Sequence, residues 1–340
     1  MNKKWIVRIV VILMVVAVVV FGIVKLTGKK NTINSQLDNV SENLNGYYME
    51  ANMEFHNGDD IRYYLVKVSY QKADDAKENF RVSMLDKGIN QEQIIIRNAD
   101  GVYVLTPALN QVYKFKGDWP LNGAKPYLYQ SMLDVFKGDY EKTKLDDGYL
   151  ITSKPNYKNA PNWVRQEMKL TKDLKPVWLH IYDVNDNVAV KVSFLKVEFD
   201  PTFQEKYFDV TENMSQARSE LTTTTTSTLQ DLPLYPTNAI VSASLKEQSV
   251  ITVNGQTQHI LTYEGEEPFT VIQYILENNA EMVVYEIDGE IVEVSGTVGY
   301  VRNNQLVYEY NGVCYHLYSD TLSVSKLIEV ANGMEVVTIK

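Results

Sequence analysis

Cys314-Tyr315-His316 sets a thiol and an imidazole two residues apart, so on a strand both side chains leave the same face about 7 Å apart. Such a pair is the start of a nucleophilic site, in which the imidazole takes the proton of the thiol. Working pairs usually come from different elements and need a third group to orient the base, which the local sequence does not supply. The plainer reading is a buried Cys beside a surface His. The four histidines, His56, His180, His259 and His316, form no i, i+4 pair and no HExxH, so the spacing that gathers metal ligands on one helix face is lacking. Asp183-Val184-Asn185-Asp186-Asn187 opens like a calcium loop. It has Val188 where that loop needs Gly and Phe194 where it needs a bidentate Glu, which leaves a β-turn. The adjacent acids Asp59-Asp60, Asp74-Asp75 and Asp146-Asp147 read as solvated turn residues rather than glycosidase pairs. Gly296-Thr297-Val298-Gly299 lacks the helix and Lys of a phosphate cradle, and no Ser stands in G-x-S-x-G. The chain is therefore expected to be a non-enzyme, with no catalytic residue, no cofactor and no metal.

The elements that would position any site begin with an apolar segment. From Trp5 to Leu26 only Arg8, Gly22 and Lys25 interrupt a run centred on Ile9 to Val20. Roughly 20 apolar residues cross a bilayer core. No small-residue cleavage site follows the run, and no Cys for lipidation, the one Cys being Cys314. Residues 1–30 are expected to form an uncleaved signal-anchor helix, with Trp5, Ile9, Val20 and Leu26 in the membrane. Lys and Arg flank both ends, so the positive-inside count nearly ties. The expected layout is a short N-terminus inside and the remainder extracytoplasmic at the cell membrane.

Charge narrows the partners. The net charge is −10, with 43 acidic against 33 basic residues, and six of the basic ones (Lys3, Lys4, Arg8, Lys25, Lys29 and Lys30) lie in the first thirty positions. The rest is more acidic still, which repels nucleic acid and anionic lipid headgroups alike.

Behind a short amphipathic helix over 31–46 (Ile33, Leu37, Val40, Leu44), strands are expected at Tyr48–Phe55, Ile61–Tyr70, Asn79–Leu85, Gln93–Arg97, Val102–Thr106 and Gln111–Lys116. Tight turns such as Asn57-Gly58 join them into an antiparallel meander. Pro126 opens a helix with Leu128, Met132, Val135 and Phe136 on one side. Strands resume at Tyr149–Ser153, Trp163–Leu170, Val177–Tyr182 and Val188–Phe199. In the last, the apolar alternation changes phase between Phe194 and Val197, which predicts a β-bulge near Phe194–Lys196. A helix over 213–220 and the polar run Leu221–Thr228 lead to a second unit. There the pattern gives strands to Val253 and Tyr263 about an Asn254-Gly255 turn and a helix near Pro268–Glu277. Strands at 281–287, 290–301, 305–310 and 313–318 follow, with Asp288-Gly289 and Asn311-Gly312 as hairpin turns. A closing helix carries Leu327, Val330, Ala331 and Met334 on one face and meets Gly333. In this unit Lys246, Arg302, Lys326 and Lys340 face a large acidic excess, so a basic partner would meet it here.

Gln93-Ile94-Ile95-Ile96-Arg97 through Gly101–Pro107, Asn110-Gln111-Val112-Tyr113 and Asp118-Trp119-Pro120 resemble the LolA-like lipoprotein-carrier superfamily, nearest its sporulation and germination branch, the YdcC-like and GerS-like proteins. Ile260–Gly265, Pro268-Phe269, Gly312-Val313, Leu327-Ile328 and Ala331-Asn332 resemble the small domain of unknown function that often follows such a carrier. The resemblance spans about 31–340. It implies an α+β chain: a LolA-like unclosed antiparallel β half-barrel with covering helices, then a small α+β domain. It also implies function by binding, of a lipid or acyl chain or of a protein, for the germination lipoproteins a cell-wall amidase. The membrane segment departs from these relatives, since a tethered protein cannot ferry lipoprotein, so transport does not carry over.

The division expected is an anchor (1–30), a LolA-like curved-sheet domain (31–215), a Thr-rich linker (216–236) and a small acidic α+β domain (237–340). Strands apolar on both faces and the covering helix nominate Tyr63, Ile95, Tyr103, Leu105, Trp119, Leu128, Met132 and Phe136 as the ligand or partner surface. The function expected is that of a membrane-anchored extracytoplasmic binding protein of the sporulation, germination or cell-envelope machinery. It would hold a lipid or acyl ligand, or a cell-wall amidase or other envelope protein, and exposed sheet edges allow a homodimer. The alternatives are an envelope-stress sensor that binds lipoprotein and a Cys–His hydrolase built on Cys314 and His316.

Overall fold

A computed structural model describes residues 43–58, 60–73, 78–117, 119, 125–221, 232–237, 242–294 and 296–335, together with Leu37 and Val40. The expected membrane helix with Trp5, Ile9, Val20 and Leu26, most of the 31–46 helix and the run Thr222–Thr228 lie outside the described residues. Among those described, no helix is long and apolar enough to cross a membrane.

Residues 45–340 form one compact unit built on two open sheets. In the first half of the chain the strands are β1 (Gly46–Asn57), β2 (Asp60–Lys72), β3 (Glu78–Asp86), β4 (Gln91–Asn98), β5 (Gly101–Thr106) and β6 (Gln111–Phe115). After helix α1 (Tyr129–Asp134) come β7 (Tyr140–Lys144), β8 (Gly148–Ser153), β9 (Trp163–Thr171), β10 (Pro176–Asp183) and β11 (Val188–Phe199), then helix α2 (Val210–Glu220). The second half holds β12 (Tyr235–Pro236), β13 (Ala243–Val253), β14 (Gln256–Gly265), β15 (Phe269–Ile275), β16 (Val283–Ile287), β17 (Glu290–Val294), β18 (Thr297–Arg302), β19 (Gln305–Tyr310) and β20 (Val313–Tyr318). Helix α3 (Val324–Asn332) and β21 (Met334–Glu335) close it. The first sheet runs β16-β6-β5-β4-β3-β2-β1-β11-β10-β9-β8-β7, the second β13-β14-β15-β20-β19-β18-β17, and β12 pairs with β21.

Local chemistry accounts for most of these boundaries. Asn254-Gly255 and Asn311-Gly312 carry positive φ at both residues, which suits the twist of two-residue hairpins, and Asn303-Asn304 makes an unforeseen third turn of this kind. The predicted bulge is present: Glu50 pairs with Lys196 and Ala51 with Phe194, leaving Leu195 between them and 58% exposed. The Asp209 carboxylate caps α2 by accepting from the Glu212 amide at 2.8 Å, and Ser323 caps α3.

Four expectations need correction. The segment Pro268–Glu277 is not a helix but strand β15, because Phe269, Val271 and Gln273 alternate into the core while Thr270 and Ile272 add β-branched stiffness. Asp288-Gly289 is no hairpin: β16 leaves the second sheet and pairs parallel with β6 on the edge of the first. The stretch 290–301 is two strands, β17 and β18, folded about Gly296. The helix after Pro126 is only α1, six residues long, followed by a 3-10 turn at Val135–Lys137.

Alternation gives the first sheet two different faces. One carries Met49, Ala51, Met53, Tyr64, Val66, Val82, Met84, Ile95 and Val104, all buried. The second sheet lies on this face: the Gln93 side-chain carbonyl accepts from Thr297 Oγ1 and the Val298 amide, both at 2.8 Å, and Tyr310 donates to Asp86 at 3.3 Å. The opposite face carries Ile94, Ile96, Tyr103, Leu105 and Val112, packed under Met214 and Ala217 of α2. The second sheet has its own core, in which α3 buries Leu327, Ile328, Val330 and Ala331 against Leu261, Val271, Tyr308, Tyr315 and Leu317.

Candidate ligand-binding cleft

The parallel pairing of β16 creates the most informative cavity. Register sets Val283 beside Gln111, Tyr285 beside Tyr113 and Ile287 beside Phe115, so the two strands present rings of the same phase. Tyr113 and Tyr285 stack with centroids 5.4 Å apart, and Phe115 meets Tyr300 of β18 edge-on at 5.9 Å. Facing them are Val298, Val307 and Glu309 of the second sheet, with Tyr274, Cys314 and His316 farther along. The cleft so enclosed holds about 740 Å³, a volume in the range of small-molecule sites. Val253 and Gln256 stand at its rim.

Glu309 is the charged group on its wall, 9% exposed on β19. Thr106 Oγ1 donates to one carboxyl oxygen at 3.2 Å, and the Tyr113 hydroxyl contacts the other. The same hydroxyl lies 2.8 Å from Gln111 Oε1. One hydroxyl hydrogen cannot serve both acceptors, whereas a protonated Glu309 can donate to Tyr113 while Tyr113 donates to Gln111. Burial pushes the Glu309 carboxyl in that direction, up to about 7, against the hydrogen bonds from Tyr113 and Thr106 that lower it.

The Cys–His pair is placed on this wall but not coupled as a nucleophile and base. Gln305 Nε2 lies 3.0 Å from His316 Nδ1 and can only donate, so Nε2 carries the ring hydrogen and donates to the Tyr274 hydroxyl at 3.1 Å. Burial lowers the His316 pKa, keeping the ring neutral, and burial pushes the Cys314 thiol up, with Glu309 adding to the shift. A reactive thiol needs the opposite shift. Among the described residues no three His, Cys, Asp or Glu side chains converge as a metal site.

The eight residues nominated from sequence do not meet on one surface. Tyr63 is 49% exposed and, alternating with Tyr64, faces away from the second sheet. Ile95 is buried beneath the second sheet, and Tyr103 and Leu105 beneath α2. Trp119, Leu128 and Met132 are buried, while half-buried Phe136 packs edge-on against Tyr140 at 5.0 Å. Sequence reasoning missed Tyr113, Tyr285, Tyr300 and Glu309 as a group. The one visible signal was Glu309 itself, a charge inside the otherwise uncharged strand Gln305-Leu306-Val307-Tyr308-Glu309-Tyr310.

No family model matches the chain. It is 29% identical over 302 residues to the sporulation protein YdcC of Bacillus subtilis, covering 88% of each chain. Among solved structures, the MucA/MucB complex of Pseudomonas aeruginosa overlaps 88% of this chain and 97% of that chain at 11% identity and a TM-score of 0.31. A putative outer membrane lipoprotein-sorting protein domain from Vibrio parahaemolyticus overlaps 54% of this chain and 96% of that chain at 12% identity and a TM-score of 0.29. Superpositions this loose transfer neither partner nor ligand. The sequence relative matches through both sheets, and with it the resemblance to the YdcC-like sporulation branch stands.

Proposed function

We propose that the chain is a binding protein of the envelope of a sporulating cell, tethered by its N-terminal apolar segment with residues 31–340 outside the cytoplasm, and that it holds a lipid or acyl chain in the inter-sheet cleft. The observation that carries this is the cleft of about 740 Å³, whose walls combine apolar side chains (Val104, Phe115, Ile287, Val298 and Val307) with polar ones such as Gln93, Gln111 and Glu309, room and contacts for an amphiphile's chain and for its polar head. The length over which YdcC matches supports the sporulation setting, and the bent open first sheet supports a LolA-like carrier reading. The buried, proton-holding thiol of Cys314 supports binding over hydrolysis.

Native mass spectrometry of the full-length chain taken from its own host membranes tests the proposal. The expected result is a co-purifying adduct of lipid mass that is lost when Val298→Trp fills the cleft. An empty chain accompanied by a stoichiometric cell-wall amidase or other envelope protein would overturn the lipid reading in favour of a protein scaffold.

A further inference from the structure

The electrostatics of the cleft specify more than an apolar ligand. Among the described residues no Lys or Arg lines it, whereas Glu309 lies on its wall and Glu277 at its margin. An anionic head, whether carboxylate, phosphate or sulfate, would enter this space without a counter-charge and against a buried carboxyl. The rings around Glu309 point the other way. Tyr113 on β6 contacts the Glu309 carboxyl, Tyr274 on β15 and Tyr300 on β18 line the same cleft, and Tyr285 stacks on Tyr113. Ring faces attract cations most strongly where water is excluded. Thr106 and Cys314, which also face Glu309, are neutral. Val253, which lines the cleft, is exposed, as are Ile275, Met282 and Val284 on β15, β16 and the loop between them.

We propose that the cleft takes an amphiphile with a cationic ammonium head, inserted head first so that the ammonium sits against Glu309 among Tyr113, Tyr285 and Tyr300 while the apolar chain runs out over Val253 and the β16 edge. This rests on the reading of the cleft as the ligand site and adds the sign of the head group. The sign of the anchoring charge is opposite to what a fatty-acid carboxylate head requires, a Lys or Arg partner.

The experiment measures binding of three probes with the same twelve-carbon chain, each below its micellar concentration, to the full-length protein: dodecyltrimethylammonium, dodecanoate and uncharged dodecyl maltoside. The expected result is roughly tenfold or greater preference for the ammonium probe over the other two. That preference should shrink in Glu309→Gln and in Tyr285→Ala, the latter a surface-reaching ring whose removal does not open a core. Equal binding of all three, or tighter binding of dodecanoate, would overturn the inference while leaving the cleft as the ligand site. Ammonium preference unchanged in both variants would also overturn it, since the cation would then be reading the acidic exterior. Binding of none of the three would remove the cleft reading and this inference together.

Discussion

Glu309 is where the chemistry of this chain concentrates, because a carboxyl buried between two sheets must either hold a proton or find a positive charge. Burial raises its folded-state pKa to about 7 from the ordinary value near 4.5. A raised carboxyl binds its proton more tightly folded than unfolded, so its stabilising contribution is complete below about pH 4.5 and is lost as pH rises through about 7. The span corresponds to about 3 kcal/mol. Urea unfolding of the wild type between pH 4.5 and 8 should show this decline beyond that of Glu309→Gln, which keeps the shape and has no proton to lose. Parallel curves for the two proteins would sink the assignment. The thiol gives a second prediction at this scale: Cys314, buried and shifted up, should react with iodoacetamide at least about a hundredfold more slowly in the folded protein than in 6 M urea. In the sequence Glu309 is marked only by being a charge inside a neutral strand, and its meaning is not legible there, because Tyr113 lies 196 positions away and only the register of β16 on β6 brings Tyr285 onto Tyr113.

Strands and turns were the most legible elements, since alternation and Asn-Gly pairs are local signals. The bulge at Leu195 could be read from a single phase change along β11. What failed was arbitration between short elements: Pro268 followed by apolar residues fits a helix start as well as a strand, and tertiary context settled it when β20 offered β15 an antiparallel partner. The excursion of β16 could not be read at all, because a parallel pairing between distant segments leaves no local trace. It is nonetheless fragile. The Val283 amide donates to the Asn110 carbonyl at 3.1 Å where the pairing begins, and Val283→Pro removes that donor and imposes an unsuitable φ. The expected cost is about 2–3 kcal/mol, with amide protection lost first across Gln111–Phe115 in hydrogen exchange. Protection that stays unchanged there would show the pairing to be dispensable. A tighter constraint lies at the β17–β18 turn. Gly296 has φ +77, and a Cβ there would lie 2.5 Å from the Tyr64 ring. Gly296→Ala should therefore cost about 2 kcal/mol or more in urea unfolding, whereas Gly255→Ala, with open space around its Cβ position, should cost less.

At the scale of the molecule, the two sheets depend on each other in ways that neither hydropathy nor charge announces. The first sheet buries Ile95, Val104 and Met84 on the face where the second sheet lies, and it obtains an edge strand from a segment between β15 and β17. Polar pairs stitch the contact at separated points: Gln93 with Thr297 and Val298, Asp86 with Tyr310, Thr106 with Glu309, and Tyr127 donating to Glu293 at 2.6 Å. Each pair, once buried, costs more to break than it contributes, because water cannot replace the lost partner. Loss of either sheet would therefore strand polar groups and apolar area in the other, which couples their unfolding. Residues 45–340 should melt in a single calorimetric transition with equal van't Hoff and calorimetric enthalpies. Residues 45–221 produced alone should keep strand content but bind a hydrophobic dye and lose sharp melting. Two separate transitions in the intact chain, with the first sheet persisting after the second has melted, would mean that the interface is a docking contact and that the cleft between the sheets can open as a unit.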